Sequence, residues 1–194
     1  MTPKRVLEIN GDLKESPLIE TIRRIHSVFS KNCVSYTIIG GMAVIRSGCS
    51  RTTMDIDILT TREGWHSIRN VPEIPFNTWT DHAVDKKNNI DIDVLFPGND
   101  WEMLIPLPHP DMVKEYDEDL GANFIGLKPL LELKAAVYLK KKAEEGIEIA
   151  AKDLYDIVEL IKKNRSRITD KFMKTMNPVI AGEIRRISSR VIKS

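Results

Sequence analysis

Met54-Asp55-Ile56-Asp57-Ile58-Leu59 alternates apolar and acidic side chains, and Ile90-Asp91-Ile92-Asp93-Val94 repeats the device further along the chain. In an extended backbone residues i and i+2 point to the same side. Each stretch therefore predicts a strand that buries its apolar residues (Met54, Ile56 and Ile58 in the first) and presents its aspartates together. Aspartate is depleted in strands, and like charges on one sheet face repel, so two such stretches are costly unless a cation offsets them. Carboxylate oxygens are hard ligands of the kind Mg²⁺ takes, and a carboxylate shared by two such ions is a device for in-line phosphoryl displacement. Read as an ordinary sheet face, the same aspartates are solvated charges; their repetition in strand context favours the ligand reading.

Upstream, residues 34–39 form a β-branched and aromatic run that stops at Gly40-Gly41. This predicts a strand, a tight turn and a short helix over residues 42–47. Glycines there let the backbone approach a ligand, and a helix starting at Met42 would aim its free N–H groups at a phosphate. Alone, Gly40-Gly41 reads as a plain turn; with Asp55 and Asp57 downstream it reads as a phosphate site beside a metal site. Neither G-x-x-x-x-G-K-[ST] nor G-x-G-x-x-G occurs, so the P-loop and Rossmann routes to nucleotide binding are excluded.

Further outward, Ser16-Pro17 offers an N-cap and a first-turn proline, and Leu18, Ile22, Ile25 and Phe29 follow at helical spacing, predicting a helix over 17–31. A short helix is expected over 63–69. A strand over 78–85 would join the second acidic strand through Lys86-Lys87-Asn88-Asn89, which is hairpin chemistry. Residues 97–126 are proline-rich and resist assignment. Strong helices follow over 127–143 and 149–163, separated near Gly146, and a weaker basic one over 178–192. Strands first and helices later predict an α+β fold, a small mixed sheet backed by helices: a core over 1–126 and a helical region over 127–194, packed as one unit.

Composition narrows the class. The 194 residues are 42% hydrophobic, enough for a real core, and 29 basic side chains against 28 acidic ones exclude a uniformly basic nucleic-acid coat. The charge is segregated, however: from Lys162 onward ten Lys or Arg face only Asp170 and Glu183, a balance of +8 that leaves −7 on the rest. The segment holding Arg185, Arg186, Arg190 and Lys193 reads as a solvated helix, or as one that meets RNA or an acidic partner. Cys33 and Cys49 are too few for a disulfide scaffold and lack zinc spacing. No apolar h-region or membrane-length stretch is seen, so a soluble, cytoplasmic protein without membrane partners is expected.

In order, Ile38-Ile39-Gly40-Gly41-Met42-Ala43-Val44, then Arg51-Thr52-Thr53-Met54-Asp55-Ile56-Asp57-Ile58, then Ile92-Asp93-Val94-Leu95 resemble the minimal nucleotidyltransferases of the DNA polymerase β superfamily. Within it the likeness is to the AbiEii-like toxin nucleotidyltransferases, and it extends through Leu133-Lys134 and Lys152-Asp153-Leu154-Tyr155-Asp156, roughly residues 34–163. The resemblance implies a mixed sheet of polymerase β-like type in which Asp55 and Asp57 bind both Mg²⁺ (or Mn²⁺) ions, with Asp93 as the third carboxylate on a neighbouring strand. It implies an NTP such as ATP as substrate, transfer of its nucleoside monophosphate to an acceptor, and pyrophosphate as leaving group. Gly40, Gly41, Arg51, Thr53 and Lys134 become nucleotide-binding residues, and Asp91, Lys152, Asp153 and Asp156 candidates for the substrate site. An RNA (tRNA) or protein acceptor and a cognate antitoxin are the implied partners. An antibiotic-modifying enzyme and a catalytically silent nucleotide-binding or antitoxin protein of the same fold are the alternatives.

Several of these residues have plainer readings. Met42 stands where many members of the superfamily carry Ser or Thr. Arg51 and Thr53 also suit a capping and surface role. Asp91 shares a face with Asp93, and periodicity cannot separate them. Lys134 falls inside the apolar stripe Leu127, Leu130, Leu131, Val137 and Tyr138, where it either snorkels across the core rim or reaches a triphosphate. In the next helix Ala150, Leu154, Ile157, Val158 and Ile161 make the buried stripe, with Asp153 at its border; a helical wheel leaves Asp156 as a solvated charge, and only the resemblance brings it to the site. His26, His66, His82 and His109 have no ligand spacing, and Trp65, Trp79 and Trp101 read as core or loop anchors.

Overall fold

The two acidic strands lie side by side. In the computed structural model, which describes residues 16–99 and 103–191, β2 (Asp55–Thr60) pairs in parallel with β5 (Asp91–Leu95), Asp55 against Asp91 and Asp57 against Asp93. Ile56, Ile58, Ile92 and Val94 are buried on one face, while the four aspartates share the other. Met54 departs from the expected pattern. It precedes the ladder and is 85% exposed, because the strand begins only at Asp55 and the alternation does not extend back to it.

Around this pair stand β1 (Tyr36–Ile38), β3 (Phe76–Thr78), β4 (His82–Asp85), β6 (Lys114–Asp117) and β7 (Ala122–Ile125), giving a seven-stranded mixed sheet in the order β3-β4-β5-β2-β1-β7-β6. β1 runs antiparallel to β2 and parallel to β7. The strand expected over 78–85 is instead two, β3 and β4, folded back on each other, since Trp79 to Asp81 form a tight turn in which the Trp79 N–H donates to the His82 carbonyl. Lys86 to Asn89 do make the β4–β5 hairpin, with Asn89 in the left-handed region that asparagine tolerates. The proline-rich stretch contributes β6, β7 and the one-turn helix α4 (Pro110–Val113), which is N-capped by His109.

Helix α1 (Pro17–Lys31) buries Ile19, Ile22, Ile25 and Phe29, and the Phe29 ring meets Tyr36 of β1 and Trp65 of α3 (Arg62–Arg69). Trp65 is the core anchor expected of it. Trp79 is not, being half exposed, and Trp101 lies outside the described residues. Helix α2 (Gly40–Arg46) begins two residues earlier than expected, so the glycine pair forms its first turn rather than a turn before it.

The C-terminal part holds α5 (Leu127–Glu144), α6 (Ala151–Lys163), α7 (Asp170–Met173) and α8 (Pro178–Val191), with α5, α6 and α8 packed on one another. Buried residues of α5 include Leu133, Ala135 and Ala136 beside Leu127, Leu130, Leu131 and Tyr138, a wider set than one stripe. In α6 the buried residues are Asp153, Asp156, Ile157, Leu160 and Ile161; Leu154 and Val158 are half-buried. Asp156 is thus a buried charge and not the solvated one that the wheel predicts, because its partners come from outside the helix. Arg185 and Arg190 of α8 are exposed, Arg186 pairs with Glu183, and Lys193 lies outside the described residues. Cys33 and Cys49 are both free thiols.

Candidate functional site

The aspartate face of β2 opens onto a cleft of about 450 Å³ whose other side is built by α5 and the start of α6. Gly40, Gly41, Arg51, Asp55, Asp57, Lys134, Lys152 and Asp153 all line it, as do Lys140 and Lys141 and an apolar wall that includes Leu95, Leu107 and Leu130. The chain therefore gathers residues from six separate segments around one hollow.

Gly40 and Gly41 are there for space. A Cβ on Gly40 would lie 1.8 Å from Asp57 Oδ2, and Gly40 has φ +57°, a conformation costly for any side chain. A Cβ on Gly41 would lie 2.5 Å from Thr53 Oγ1. The Gly41 N–H points at Asp57 Oδ2 at 3.4 Å. Thr53 Oγ1 donates to Asp55 Oδ1 at 2.6 Å, so Thr53 orients the first carboxylate from behind the glycine turn.

Burial pushes the Asp57 carboxyl above the usual aspartate range, Asp55 and Asp93 push the same way, and the Gly41 N–H and Lys134 oppose them. The chemistry of two carboxylates on one strand face fits a hard divalent cation at Asp55 and Asp57. Among the described residues no three His, Cys, Asp or Glu side chains are already gathered as a metal cluster. Asp93, expected as the third carboxylate, is the cross-strand neighbour of Asp57, but like Asp91 it is exposed and does not line the cleft.

The opposite side is an ion-pair chain. Asp156 Oδ2 accepts from Arg51 Nη1 at 2.6 Å and lies 2.8 Å from Lys134 Nζ; Asp153 meets Lys134 at 3.3 Å and Lys141 at 2.8 Å. Asp153 and Asp156 are 4% and 1% exposed, so both act from behind the cations they hold. Lys134 thus neither snorkels to solvent nor stands alone. Lys152 sits exposed at the mouth.

Two residues escaped the sequence reading. Lys141 stands two helical turns after Lys134 on α5, a spacing that was available as a signal. His82 contacts both Asp91 and Asp93, which only the β4–β5 register reveals. The remaining histidines are elsewhere: His26 on the Tyr36 hydroxyl, His66 in the last turn of α3 and His109 at the α4 cap.

No protein-family model matches the chain. Among solved structures, that of ANT(2")-Ia in complex with adenylyl-2"-tobramycin superposes with a TM-score of 0.56 over 88% of this chain and 98% of that one, at 11% identity. The chain has the nucleotidyltransferase fold. A Thermotoga maritima protein assigned as a nucleotidyltransferase overlaps more loosely, with a TM-score of 0.43 over 71% of this chain and 94% of that one, at 15% identity. By sequence, the glutamyl-tRNA reductase of Sulfurisphaera tokodaii is 32% identical over 116 residues, 56% of this chain. The chain spans 27% of that relative's length. In this nucleotidyltransferase fold no helix among the described residues is long and apolar enough to cross a membrane.

Proposed function

We propose that the chain transfers a nucleoside monophosphate from an NTP to an acceptor hydroxyl. The observation that carries this reading is the division of one cleft into a carboxylate floor, Asp55 and Asp57, and a cationic side, Arg51, Lys134 and Lys141. Three cations share the two buried carboxylates Asp153 and Asp156, which leaves the network one positive charge and spare N–H donors for phosphate oxygens. Arg51 and Lys134 bind the triphosphate on this account, and Asp153 and Asp156 hold them in place.

A divalent cation, Mg²⁺ or Mn²⁺, held by Asp55 and Asp57 supplies neutralisation of phosphate charge when bound. Asp93 takes the proton of the acceptor hydroxyl on a carboxylate oxygen. The acceptor oxygen bonds to the α-phosphorus, the bond from that phosphorus to the β-bridging oxygen breaks, and pyrophosphate leaves. Leu95, Leu107 and Leu130 exclude water that would otherwise compete as acceptor.

The motif order and the segment from Lys152 to Asp156 support an RNA or protein acceptor, and with it a toxin restrained by a cognate antitoxin. The likeness to ANT(2")-Ia, whose complex holds adenylyl-2"-tobramycin, supports a second reading with an antibiotic hydroxyl as acceptor. NTPs labelled in the α-phosphate, incubated with the protein, Mg²⁺ and a cell extract, separate these readings. Label in tRNA or protein, with growth arrest on expression, supports the first; label on an added aminoglycoside, with resistance of a sensitive host, supports the second. NTP binding with no label transferred to any acceptor would overturn the proposal in favour of a catalytically silent protein.

A further inference from the structure

One rung of the sheet carries His82, Asp93 and Asp57 in a row: His82 of β4 pairs with Asp93 of β5, and Asp93 with Asp57 of β2. Side chains on one rung of neighbouring strands share a face. The His82 ring leans across that face between the two aspartates of β5, with Nδ1 3.2 Å from Asp93 Oδ1 and Nε2 3.3 Å from Asp91 Oδ1. The Trp79 indole backs the ring at 5.4 Å between centroids. Trp79 is itself fixed through its backbone: its N–H donates to the His82 carbonyl at 2.7 Å, and its carbonyl accepts from Nε1 of the buried Trp65 at 3.3 Å. A pinned turn therefore sets where the imidazole stands.

Asp93 needs such a partner. Its side chain is 53% exposed, and a carboxylate that open has no steric reason to stay beside Asp57. His82 engages Oδ1 and leaves Oδ2 available. Its second nitrogen stands beside Asp91, the other aspartate on that face of β5.

We propose that His82 is a positioning residue: its Nδ1–H donates to the Asp93 carboxylate and holds it next to Asp57, with the ring standing between Asp93 and Asp91, so that Asp93 serves as the third carboxylate. The inference rests on the nucleotidyl-transfer reading of the cleft. Partners of this outer kind typically change metal affinity or activity by about 10- to 100-fold when removed.

The test uses three variants, His82→Ala, His82→Asn and His82→Gln, because the Asn amide reaches about as far as Nδ1 and the Gln amide about as far as Nε2. Mn²⁺ binding to the full chain without nucleotide, followed by electron paramagnetic resonance, is read beside kcat, KM for NTP and the thermal midpoint. His82→Ala is expected to lose about 10- to 100-fold in Mn²⁺ affinity and in kcat while KM for NTP stays near the wild-type value. Asn should restore most of that loss and Gln little. Unchanged Mn²⁺ affinity and kcat in the Ala variant, or rescue by Gln instead of Asn, would overturn the assignment, the latter by moving the role to Asp91. Wild-type protein that releases no pyrophosphate defeats the transfer reading instead, and the Mn²⁺ titrations still report on the contact between His82 and Asp93.

Discussion

Gly40 carries two constraints at once, a positive φ and a carboxylate in the place of its missing side chain. Gly40→Ala imposes about 1–2 kcal/mol of backbone cost before the collision with Asp57 is counted. For a chain of this size that lowers the thermal midpoint by about 2–4 °C per kcal/mol, and transfer should be lost with it. An Ala variant melting with the wild type would contradict the close approach. Asp57 makes the opposite trade. Burial and then Asp55 raise its carboxyl, so the native state holds this proton more tightly than the unfolded chain does. Stability therefore falls as the pH rises from the ordinary aspartate range through the raised native value, above which the buried charge is a standing cost. Asp57→Asn removes that cost. In metal-free buffer it should melt above the wild type at neutral pH, the gap closing toward acid; melts by circular dichroism across that range decide it, and a variant less stable at neutral pH would count against the account.

Among the elements, α1 is tied to β4 by a buried carboxylate. Asp85 is fully buried and accepts from Thr21, from the Arg24 guanidinium and from the Lys87 N–H. Burial pushes its carboxyl up, but these donors outweigh it and hold the group below the usual range. The bonds thus contribute fully above the ordinary aspartate value and are lost as pH falls through the depressed native value. Arg24→Ala strands the buried charge and should cost about 3 kcal/mol in urea unfolding at neutral pH, a deficit that narrows in acid. Elements of this size differ in how far the sequence shows them. The strands β2 and β5 are legible because alternation and burial coincide from Asp55 to Ile58 and from Asp91 to Val94, and Asn88-Asn89 marks the hairpin before β5. The three- and four-residue strands β3, β6 and β7 are not, since too few residues repeat to make a period and their order depends on partners far along the chain. The site divides the same way. The pair Asp55 and Asp57 is visible within one strand, whereas Asp156 depends on Arg51, 105 positions away, and His82 on a cross-strand register, which no local pattern encodes.

The whole molecule separates its charge. Among the described residues the basic excess from Lys162 onward falls in the end of α6, in α7, in α8 and in the segments between them, while the carboxylate floor belongs to the sheet. If the acceptor is RNA, exposed cations such as Arg185 and Arg190 contact its phosphates and affinity falls with salt, by roughly one unit of log–log slope per contact. Replacing Arg185, Arg186 and Arg190 with Ala should then weaken RNA binding and leave NTP binding as it was. Filter binding at several salt concentrations checks this, and a flat salt response returns α8 to an ordinary solvated helix. The central claim, that Asp55 and Asp57 serve nucleotidyl transfer, is tested most directly by pyrophosphate release from NTP with Mg²⁺ and a cell extract as the source of acceptor, comparing wild-type protein with Asp57→Asn. The account predicts pyrophosphate from the wild type and none above background from a folded Asp57→Asn variant. Equal release from both would contradict it.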